Sequence, residues 1–329
     1  MPKSNPFNPP QWVQSGCRVL VVGYYGYGNF GDEWLRLIAI RWLTQQGIGS
    51  IACLWPTTAY IDGIQYVNRW SIGAIIRLIW ACDGIVYAGG SVFQDRTSRR
   101  SVWYYAAILY LAKWLNRPVW LWGHGLGSLK LSSRWLLTQV APRQLMVDCR
   151  DAESYQLAMQ VWPNAACVHS HDLSILDKSQ VPIRPDTLMP MVLGLSVRTG
   201  YPPAVLTWCQ NQGKLKVLQT QEPLKFESDS VHNLNTYLRN NNYHTETILD
   251  WVSIREDLAN VQGIVSMRYH VLVVAHQLGI RCMGVSADPK IQSFCMEHGY
   301  PWVSDIDVSC AKLEAAWRTG LAQFDTFLE

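Results

Sequence analysis

Basic side chains and one histidine follow short apolar runs in the C-terminal half of this 329-residue sequence. They are Arg198 after Val192–Val197, Arg268 and His270 after Gly263–Met267, and Lys290 after Arg281–Ser286. Arginine binds carboxylates and phosphates through paired hydrogen bonds, and an imidazole can move a proton near neutral pH. The pattern predicts a site for a small anion. It favours a catalytic role for His270 over the structural role that is more common for a histidine at a helix start.

Three glycine-rich turns and one arginine follow apolar runs in the N-terminal half. The turns are Gly23–Glu33, Gly89–Ser98 and Gly123–Ser128, and their candidate ligands for sugar hydroxyls are Gly28, Asn29, Asp32, Gln94, Asp95 and His124, together with Arg150 after Leu145–Cys149. Glycine allows close backbone approach, and the polar side chains offer hydrogen-bonding groups. Asp32 is also a candidate proton donor. The alternatives are a helix cap for Asp32 and a surface ion pair for Arg150.

The first turn satisfies a dinucleotide-binding pattern, since Gly26, Gly28 and Gly31 form G-x-G-x-x-G. Two observations count against a dinucleotide. No acidic residue lies between Glu33 and Asp62 to hold a ribose, and Asp32 and Glu33 would repel a pyrophosphate at the start of the helix. We therefore predict that the protein uses no nicotinamide or flavin cofactor.

The sequence also argues against a metal centre. His169 and His171 precede Asp172 without a third ligand at usable spacing, so we expect a structural or cleft-lining role for both histidines. The nine cysteines include no C-x-x-C pair. This pattern is typical of reduced thiols in a cytoplasmic protein.

The apolar runs alternate with amphipathic segments, such as Glu33–Gln46. We predict strands at eight runs, which are the four named above together with Arg18–Gly23, Gly84–Ala88, Pro118–Trp122 and Lys216–Gln219. Most of them are continuously hydrophobic, as in parallel sheets covered by helices on both faces. The proline-containing segment 177–190 interrupts this rhythm. The sequence thus predicts an α/β protein with two Rossmann-like domains, 1–176 and 191–329, facing each other across a cleft.

Composition narrows the class of protein further. Hydrophobic residues make up 49% and charged residues 16%, which is typical of a globular chain, and the longest uncharged apolar run is too short to span a bilayer. Residues 1–175 contain 15 Lys and Arg against 9 Asp and Glu, and 12 of the 16 tryptophans. This half is suited to a sugar or to peripheral contact with a membrane, unless the tryptophans only fill the core. The sequence contains no block of Lys and Arg residues, so it gives little indication of nucleic-acid binding.

The motifs, in this order, resemble the polysaccharide pyruvyltransferase family. The matching stretches are Gly23–Glu33, Gly89–Ser98, Gly123–Ser128, Arg150–Ser154, Ser266–His270 and Asp288–Ile291. The resemblance implies a fold like that of the GT-B glycosyltransferases. It also implies transfer of the pyruvyl group of phosphoenolpyruvate to two hydroxyls of a sugar, as a cyclic ketal, with release of phosphate.

The resemblance also assigns roles to the candidate residues. Arg198, Arg268, Lys290 and His270 would bind phosphoenolpyruvate, with His270, Arg268 and Asp32 as the catalytic set and the N-terminal candidates on the side of the saccharide. The acceptor is commonly lipid-linked, so we expect a cytoplasmic protein that touches the inner face of the membrane at its periphery. Two alternatives remain open, a GT-B glycosyltransferase that uses a nucleotide sugar and a non-catalytic saccharide-binding protein.

Overall fold

The computed structural model describes residues 7–95, 99–177, 192–196, 202–220, 245–247, 251–258 and 261–325. The contacts divide the chain into two compact units. The first contains Met1–Tyr27 and Asp32–Lys178, and the second contains Gly28–Gly31 and Ser179–Glu329. Gly28 and Asn29, expected in the N-terminal domain, are therefore grouped with the C-terminal unit. The predicted linker 177–190 lies almost wholly outside the described residues.

The first unit is built on a sheet of eight described strands. They are β1 (Arg18–Val22), β2 (Ser50–Trp55), β3 (Ala59–Ile61), β4 (Ile64–Asn68), β5 (Gly84–Ala88), β6 (Val119–His124), β7 (Leu145–Cys149) and β8 (Ala166–His169). Their order is β3-β4-β2-β1-β5-β6-β7-β8. Only β3 runs antiparallel to its described neighbour, β4. All other pairs are parallel, as the sequence predicted.

Helices cover both faces of this sheet. They are α1 (Phe30–Gln45), α2 (Ile72–Ala81), α3 (Arg99–Trp114), α4 (Leu131–Val140) and α5 (Ala152–Val161). Side chains alternate along a strand, so successive residues of β6 point to opposite faces of the sheet. Trp120 and Trp122 stack at 4.5 Å on the face covered by Trp42 of α1. Leu121 belongs to the core on the other face, to which α2, α3, α4 and α5 all contribute.

The second unit has a parallel sheet in the order β11-β10-β9-β12-β13-β14. Its described strands are β9 (Val192–Ser196), β10 (Lys214–Gln219), β11 (Thr245–Thr247), β12 (Gly263–Ser266), β13 (Arg281–Val285) and β14 (Trp302–Val303). Its described helices are α6 (Pro203–Gln212), α7 (Trp251–Leu258), α8 (Tyr269–Gln277), α9 (Pro289–Glu297) and α10 (Cys310–Asp325). Trp208 and Trp317 meet edge to face in the core at 5.8 Å.

The eight predicted strands are all present, with ends that differ by two residues at most from the prediction. The predicted helix Glu33–Gln46 is α1, which begins three residues earlier. Six described strands, β2, β3, β4, β8, β11 and β14, were not predicted. The α/β class is thus confirmed, while the cleft between the units stays a prediction.

Candidate functional site

The carboxyl edge of the second sheet carries the predicted anion-binding residues. Because β12 and β13 are parallel neighbours, the segments that follow them emerge at the same edge. Arg268 is the N-cap of α8, with an extended backbone, and His270 lies in the first turn of that helix. Lys290 lies in the first turn of α9, after the N-cap Asp288. Arg198, the fourth predicted residue, lies outside the described residues.

Serine side chains at the strand ends fix the backbone of these segments. Ser266 Oγ accepts a hydrogen bond from the backbone N of Arg268 at 2.9 Å. Ser286 Oγ does the same for the backbone N of Asp288 at 3.1 Å. Both serines are buried, so each segment leaves its strand in a defined direction.

These serines were not among the residues predicted from the sequence. A third buried serine, Ser196, ends β9 and pairs in register with Ser266. The repeated pattern Ser-x-Arg at 196–198 and 266–268, with Ser-x-Asp at 286–288, is the signal that identifies them.

His270 is half-buried and packed between aromatic and glycine neighbours. Its ring meets Tyr269 edge to face at 5.1 Å, and Tyr269 in turn packs against Phe294 of α9 at 5.7 Å. Gly31 also lies against the ring, since a Cβ at Gly31 would overlap Nδ1 of the imidazole. The backbone N of Phe30 donates to the Thr220 oxygen at 3.0 Å, which holds the turn in the second unit.

Lys290 contributes a further positive charge at this edge. Its Nζ lies 3.6 Å from Oδ2 of Asp288, and its side chain is 30% exposed. Asp288 Oδ1 accepts the backbone N of Lys290 at 3.3 Å, as expected of a helix N-cap. Together with Arg268 and the N-termini of α8 and α9, this edge has the chemistry of an anion-binding site.

Arg150 is the centre of a buried ionic cluster at the carboxyl edge of the first sheet. Its Nη1 lies 3.4 Å from Asp172 Oδ2, and its Nε lies 3.5 Å from Asp151 Oδ2. Its Nη2 donates to Ser91 Oγ at 3.0 Å. A Cβ at Gly125 would lie 2.6 Å from Nη2, so this turn needs a glycine. The ion pair considered for Arg150 exists, but it is buried rather than at the surface.

His124 is completely buried and supports the Gly89–Gly90 turn. Its Nδ1 lies 2.9 Å from the Gly89 oxygen. Burial lowers the pKa of His124 to about 3, and the nearby charge of Arg150 adds to this shift. The neutral ring therefore carries its proton on Nδ1 and donates it to Gly89. Gly89 and Gly90 have φ values of 64° and 72°, which other residues rarely adopt.

Two further candidates, Asp95 and Gln94, contact other residues of the first unit. Both oxygens of Asp95 are engaged, since Oδ2 accepts the Lys130 backbone N at 2.6 Å and Oδ1 accepts Ser133 Oγ at 2.8 Å. Asp95 thereby caps the start of α4. Gln94 lies against Gly127, because a Cβ added to Gly127 would lie 2.5 Å from the Cβ of Gln94.

Asp32 is half-buried in the first turn of α1, and its Oδ1 lies 3.1 Å from the position of a Cβ on Gly90. The structure therefore brings Asp32, Gly90, Ser91, His124 and Arg150 to one edge of the first sheet. Binding of a saccharide there stays a prediction.

An additional arginine, which was not predicted as a site residue, is buried in the first unit. Arg69 follows β4, and its guanidinium carbon lies 4.9 Å from the ring centre of Tyr104 and 5.3 Å from that of Tyr27. Its Nη2 donates to the hydroxyl of Tyr105 at 2.8 Å. These contacts are cation–π and hydrogen-bonding interactions, so aromatic groups surround the charge.

The part of the chain that the structure describes contains no group of three or more His, Cys, Asp or Glu residues that could hold a metal ion. His169 and His171 are both exposed, and His169 lies 6.3 Å from the ring of Tyr155. Among the described helices, none is long and apolar enough to cross a membrane.

Comparison with known proteins gives one family and one fold. A family model described as polysaccharide pyruvyl transferase matches residues 29–289, a range that contains most of the candidate residues. No curated protein matches the sequence of the chain.

Among solved structures, HepE from Anabaena, in complex with UDP and glucose, is similar with a TM-score of 0.59 and 12% identity over 94% of this chain and 91% of that chain. UDP-GlcNAc 2-epimerase from Methanocaldococcus jannaschii is similar with a TM-score of 0.55 and 12% identity over 91% of this chain and 90% of that one. At such low identity these matches show the fold alone, and they confirm the predicted GT-B-like fold.

Proposed function

Because the chain belongs to the polysaccharide pyruvyl transferase family, we propose that it transfers the pyruvyl group of phosphoenolpyruvate to two hydroxyls of a saccharide. The product is a cyclic ketal, and inorganic phosphate is released. The observation that carries the proposal is the position of Arg268 and His270 at the start of α8. The glycine turn at Gly31 leaves room there for the ring of His270.

Phosphoenolpyruvate is a small molecule with a carboxylate and a phosphate, and the edge of the second sheet suits both groups. Arg268 can bind either group through two hydrogen bonds, and Lys290 adds a second positive charge at the neighbouring strand. The positive ends of the helix dipoles of α8 and α9 also lie at this edge, which favours an anion there. Arg198 joins this set in our proposal through the sequence pattern that it shares with Arg268.

The reaction has a simple proton balance. A proton adds to the methylene carbon of phosphoenolpyruvate, and the central carbon becomes electrophilic. One sugar hydroxyl attacks that carbon, and a second hydroxyl then displaces the phosphate. Of the two hydroxyl protons, one replaces the proton taken up by the methylene carbon and the other leaves with the phosphate.

His270 is the group that we assign to proton transfer at the phosphate, because an imidazole can both accept and donate a proton near neutral pH. Arg268 and Lys290 stabilise the negative charge that develops on the departing phosphate. Asp32 is the proposed proton donor or hydroxyl acceptor on the saccharide side. Arg150, His124, Gln94 and Asp95, together with Gly28 and Asn29, are the other residues that we propose for the saccharide. We place the reaction in the cytoplasm, with a saccharide that is lipid-linked.

The test is incubation with phosphoenolpyruvate and a panel of saccharides, with inorganic phosphate and product mass as readouts. We expect phosphate release that depends on the saccharide, and a product with the mass of the ketal. His270→Ala should abolish release, whereas the control His276→Ala, at the other end of the same helix, should retain it. Turnover of the His270→Ala protein at the rate of the unchanged protein would remove His270 from the mechanism.

Two further assays separate the alternatives. Consumption of a nucleotide sugar without any dependence on phosphoenolpyruvate would favour a glycosyltransferase. Calorimetry that detects saccharide binding but no binding of phosphoenolpyruvate would favour a non-catalytic saccharide-binding protein.

A further inference from the structure

One surface of the first unit is unusually rich in exposed aromatic side chains. All five tryptophans that are exposed among the described residues lie between positions 70 and 135, and they are Trp70, Trp80, Trp103, Trp114 and Trp135. Large exposed aromatic groups that lie close together mark interaction surfaces in soluble proteins. The other tryptophans whose burial the structure describes are buried or half-buried, so filling the core does not explain these five.

Helix α3 arranges three of its aromatic side chains along one face. Trp103, Tyr110 and Trp114 are 60%, 56% and 69% exposed, at spacings of seven and four residues. Such spacings return to the same side of an α-helix. The opposite side of α3 is buried in the core through residues such as Tyr105 and Leu109. The outward stripe is therefore a second apolar face, which the fold of this unit leaves uncovered.

The neighbouring helices extend this stripe into a broad surface. On α4, Leu131 and Trp135 are 82% and 67% exposed and one turn apart. Lys113 of α3 donates to the Gln139 oxygen of α4 at 2.6 Å, which holds the two helices side by side.

On α2, Trp80 is exposed, and its backbone oxygen accepts a hydrogen bond from Arg117, just beyond α3. We call the exposed side of α2, α3 and α4 the aromatic face.

The charge of the aromatic face has one sign. None of the three helices contains an aspartate or glutamate. Arg77 on α2, Arg99 and Arg100 at the start of α3, and Lys113 near its end are all exposed. Arg99 is four residues before Trp103, so it lies on the same side of α3 as the aromatic stripe. A partner for this face must accept both indole rings and positive charge.

We propose that the aromatic face binds the surface of a bilayer that contains anionic lipids. Tryptophan and tyrosine favour the interface between lipid headgroups and acyl chains, because their rings are apolar and carry a polar tip. Exposed arginine and lysine beside them are attracted to the negative charge of phosphate headgroups. The complete absence of acidic side chains on the three helices matches such a surface, which would repel them. Binding of this kind is peripheral and needs no membrane-spanning helix.

Liposome flotation tests the proposal without any substrate, so its outcome is independent of the pyruvyl transfer. We expect the protein to float with vesicles of equal parts phosphatidylglycerol and phosphatidylcholine, and to bind vesicles of phosphatidylcholine alone about tenfold more weakly. Raising the salt to about 0.5 M should reduce the binding to the anionic vesicles, because salt screens surface charges.

Variants locate the binding surface. Trp103→Ser combined with Trp114→Ser should lower flotation by about tenfold or more, and Arg77→Gln combined with Arg99→Gln should reduce the dependence on phosphatidylglycerol. The matched control is Tyr60→Ser with Arg41→Gln, which changes an exposed aromatic residue and an exposed arginine outside the aromatic face. The control should float like the unchanged protein, and circular dichroism should show that every variant is folded.

Three results would overturn the proposal. The first is failure of the unchanged protein to float with the anionic vesicles at low salt. The second is flotation of the Trp103→Ser, Trp114→Ser protein at the level of the control. The third is a dimer in sedimentation velocity that this double variant converts to a monomer, which would assign the aromatic face to a second copy of the chain.

Discussion

Gly31 lies so close to His270 that a Cβ on the glycine would occupy the position of the imidazole Nδ1. The two residues are far apart in the sequence, and both belong to the second unit. Gly31 therefore sets the space in which the ring of His270 is held.

Gly31→Ala should consequently displace the imidazole. We expect at least about a tenfold loss in the rate of phosphate release from phosphoenolpyruvate, since misplacing a proton-transferring group is costly to catalysis. The control is Gly73→Ala in α2, where a Cβ would meet no atom within 4 Å. Equal rates for Gly31→Ala and the unchanged protein would show that the position of the His270 ring does not limit the reaction.

Arg268→Lys tests the paired hydrogen bonds proposed for the donor. Lysine keeps the positive charge but lacks the planar fork of the guanidinium, so we expect KM for phosphoenolpyruvate to rise about tenfold with a smaller change in kcat. Arg281→Lys serves as the control, because Arg281 begins β13 and so lies at the amino end of that strand, not at the carboxyl edge of the sheet. An unchanged KM in Arg268→Lys would mean that charge alone, without the fork, accounts for donor binding.

Asp148→Asn should change how stability depends on pH. Burial raises the pKa of Asp148 from 3.8 to about 6, even though Trp120 Nε1 donates a hydrogen bond to Oδ2 at 2.7 Å. The folded protein therefore binds this proton more tightly than the unfolded chain does. The contribution of Asp148 to the free energy of unfolding is greatest below about pH 4. It declines as the pH rises to about 6 and is lost above that.

In Asp148→Asn this decline should be absent. The free energy of unfolding of the variant, relative to the unchanged protein, should thus increase between about pH 4 and pH 6, by a total on the order of 2–3 kcal/mol. Urea unfolding at several pH values measures it. Asp83→Asn provides a control of opposite sign, because hydrogen bonds from Arg18 lower the pKa of Asp83. A difference that does not vary with pH would contradict the prediction.

Arg69→Met should destabilise the first unit. The substitution removes a buried charge that lies over tyrosine rings and leaves the Tyr105 hydroxyl without its donor. We expect the free energy of unfolding to fall by about 2–4 kcal/mol. Arg18→Met removes only an exposed ion pair with Asp83 and should cost less than about 1 kcal/mol. Equal losses in both variants would show that the aromatic contacts of Arg69 contribute no extra stability.

Most of the strands that could be predicted from the sequence are buried along most of their length. Two strands depart from this rule: β10 was predicted although Lys214 is exposed and Leu215 and Lys216 are half-buried, and β2 is buried at four of its six residues but was not predicted. β5 and β6 are buried at every residue, so hydrophobicity alone marks them. β4 is interrupted by the exposed Gln65, and β8 is an edge strand with mostly exposed side chains, so neither forms a clear apolar run. Missing β4 also concealed Arg69, which directly follows it.

The candidate site could be predicted only as a set of positions at strand ends. Arg268, His270 and Lys290 occupy the predicted places because parallel strands present their carboxyl ends at one edge. The contacts of His124 and Arg150 depend on residues far away in the sequence, and no spacing rule reveals them. A neutral buried ring on the Gly89 oxygen and a buried pair with Asp172 became visible only in the structure.

The position of Gly28–Gly31 has a consequence for any attempt to divide the protein. These residues are encoded near the start of the chain, yet they are grouped by their contacts with the unit that contains His270. A fragment that starts at Ser179 would lack both the glycine that abuts the imidazole and the hydrogen bond from Phe30 to Thr220. Separate expression of the two halves therefore cannot yield an intact C-terminal half, because this unit combines residues that are about 150 positions apart in the sequence.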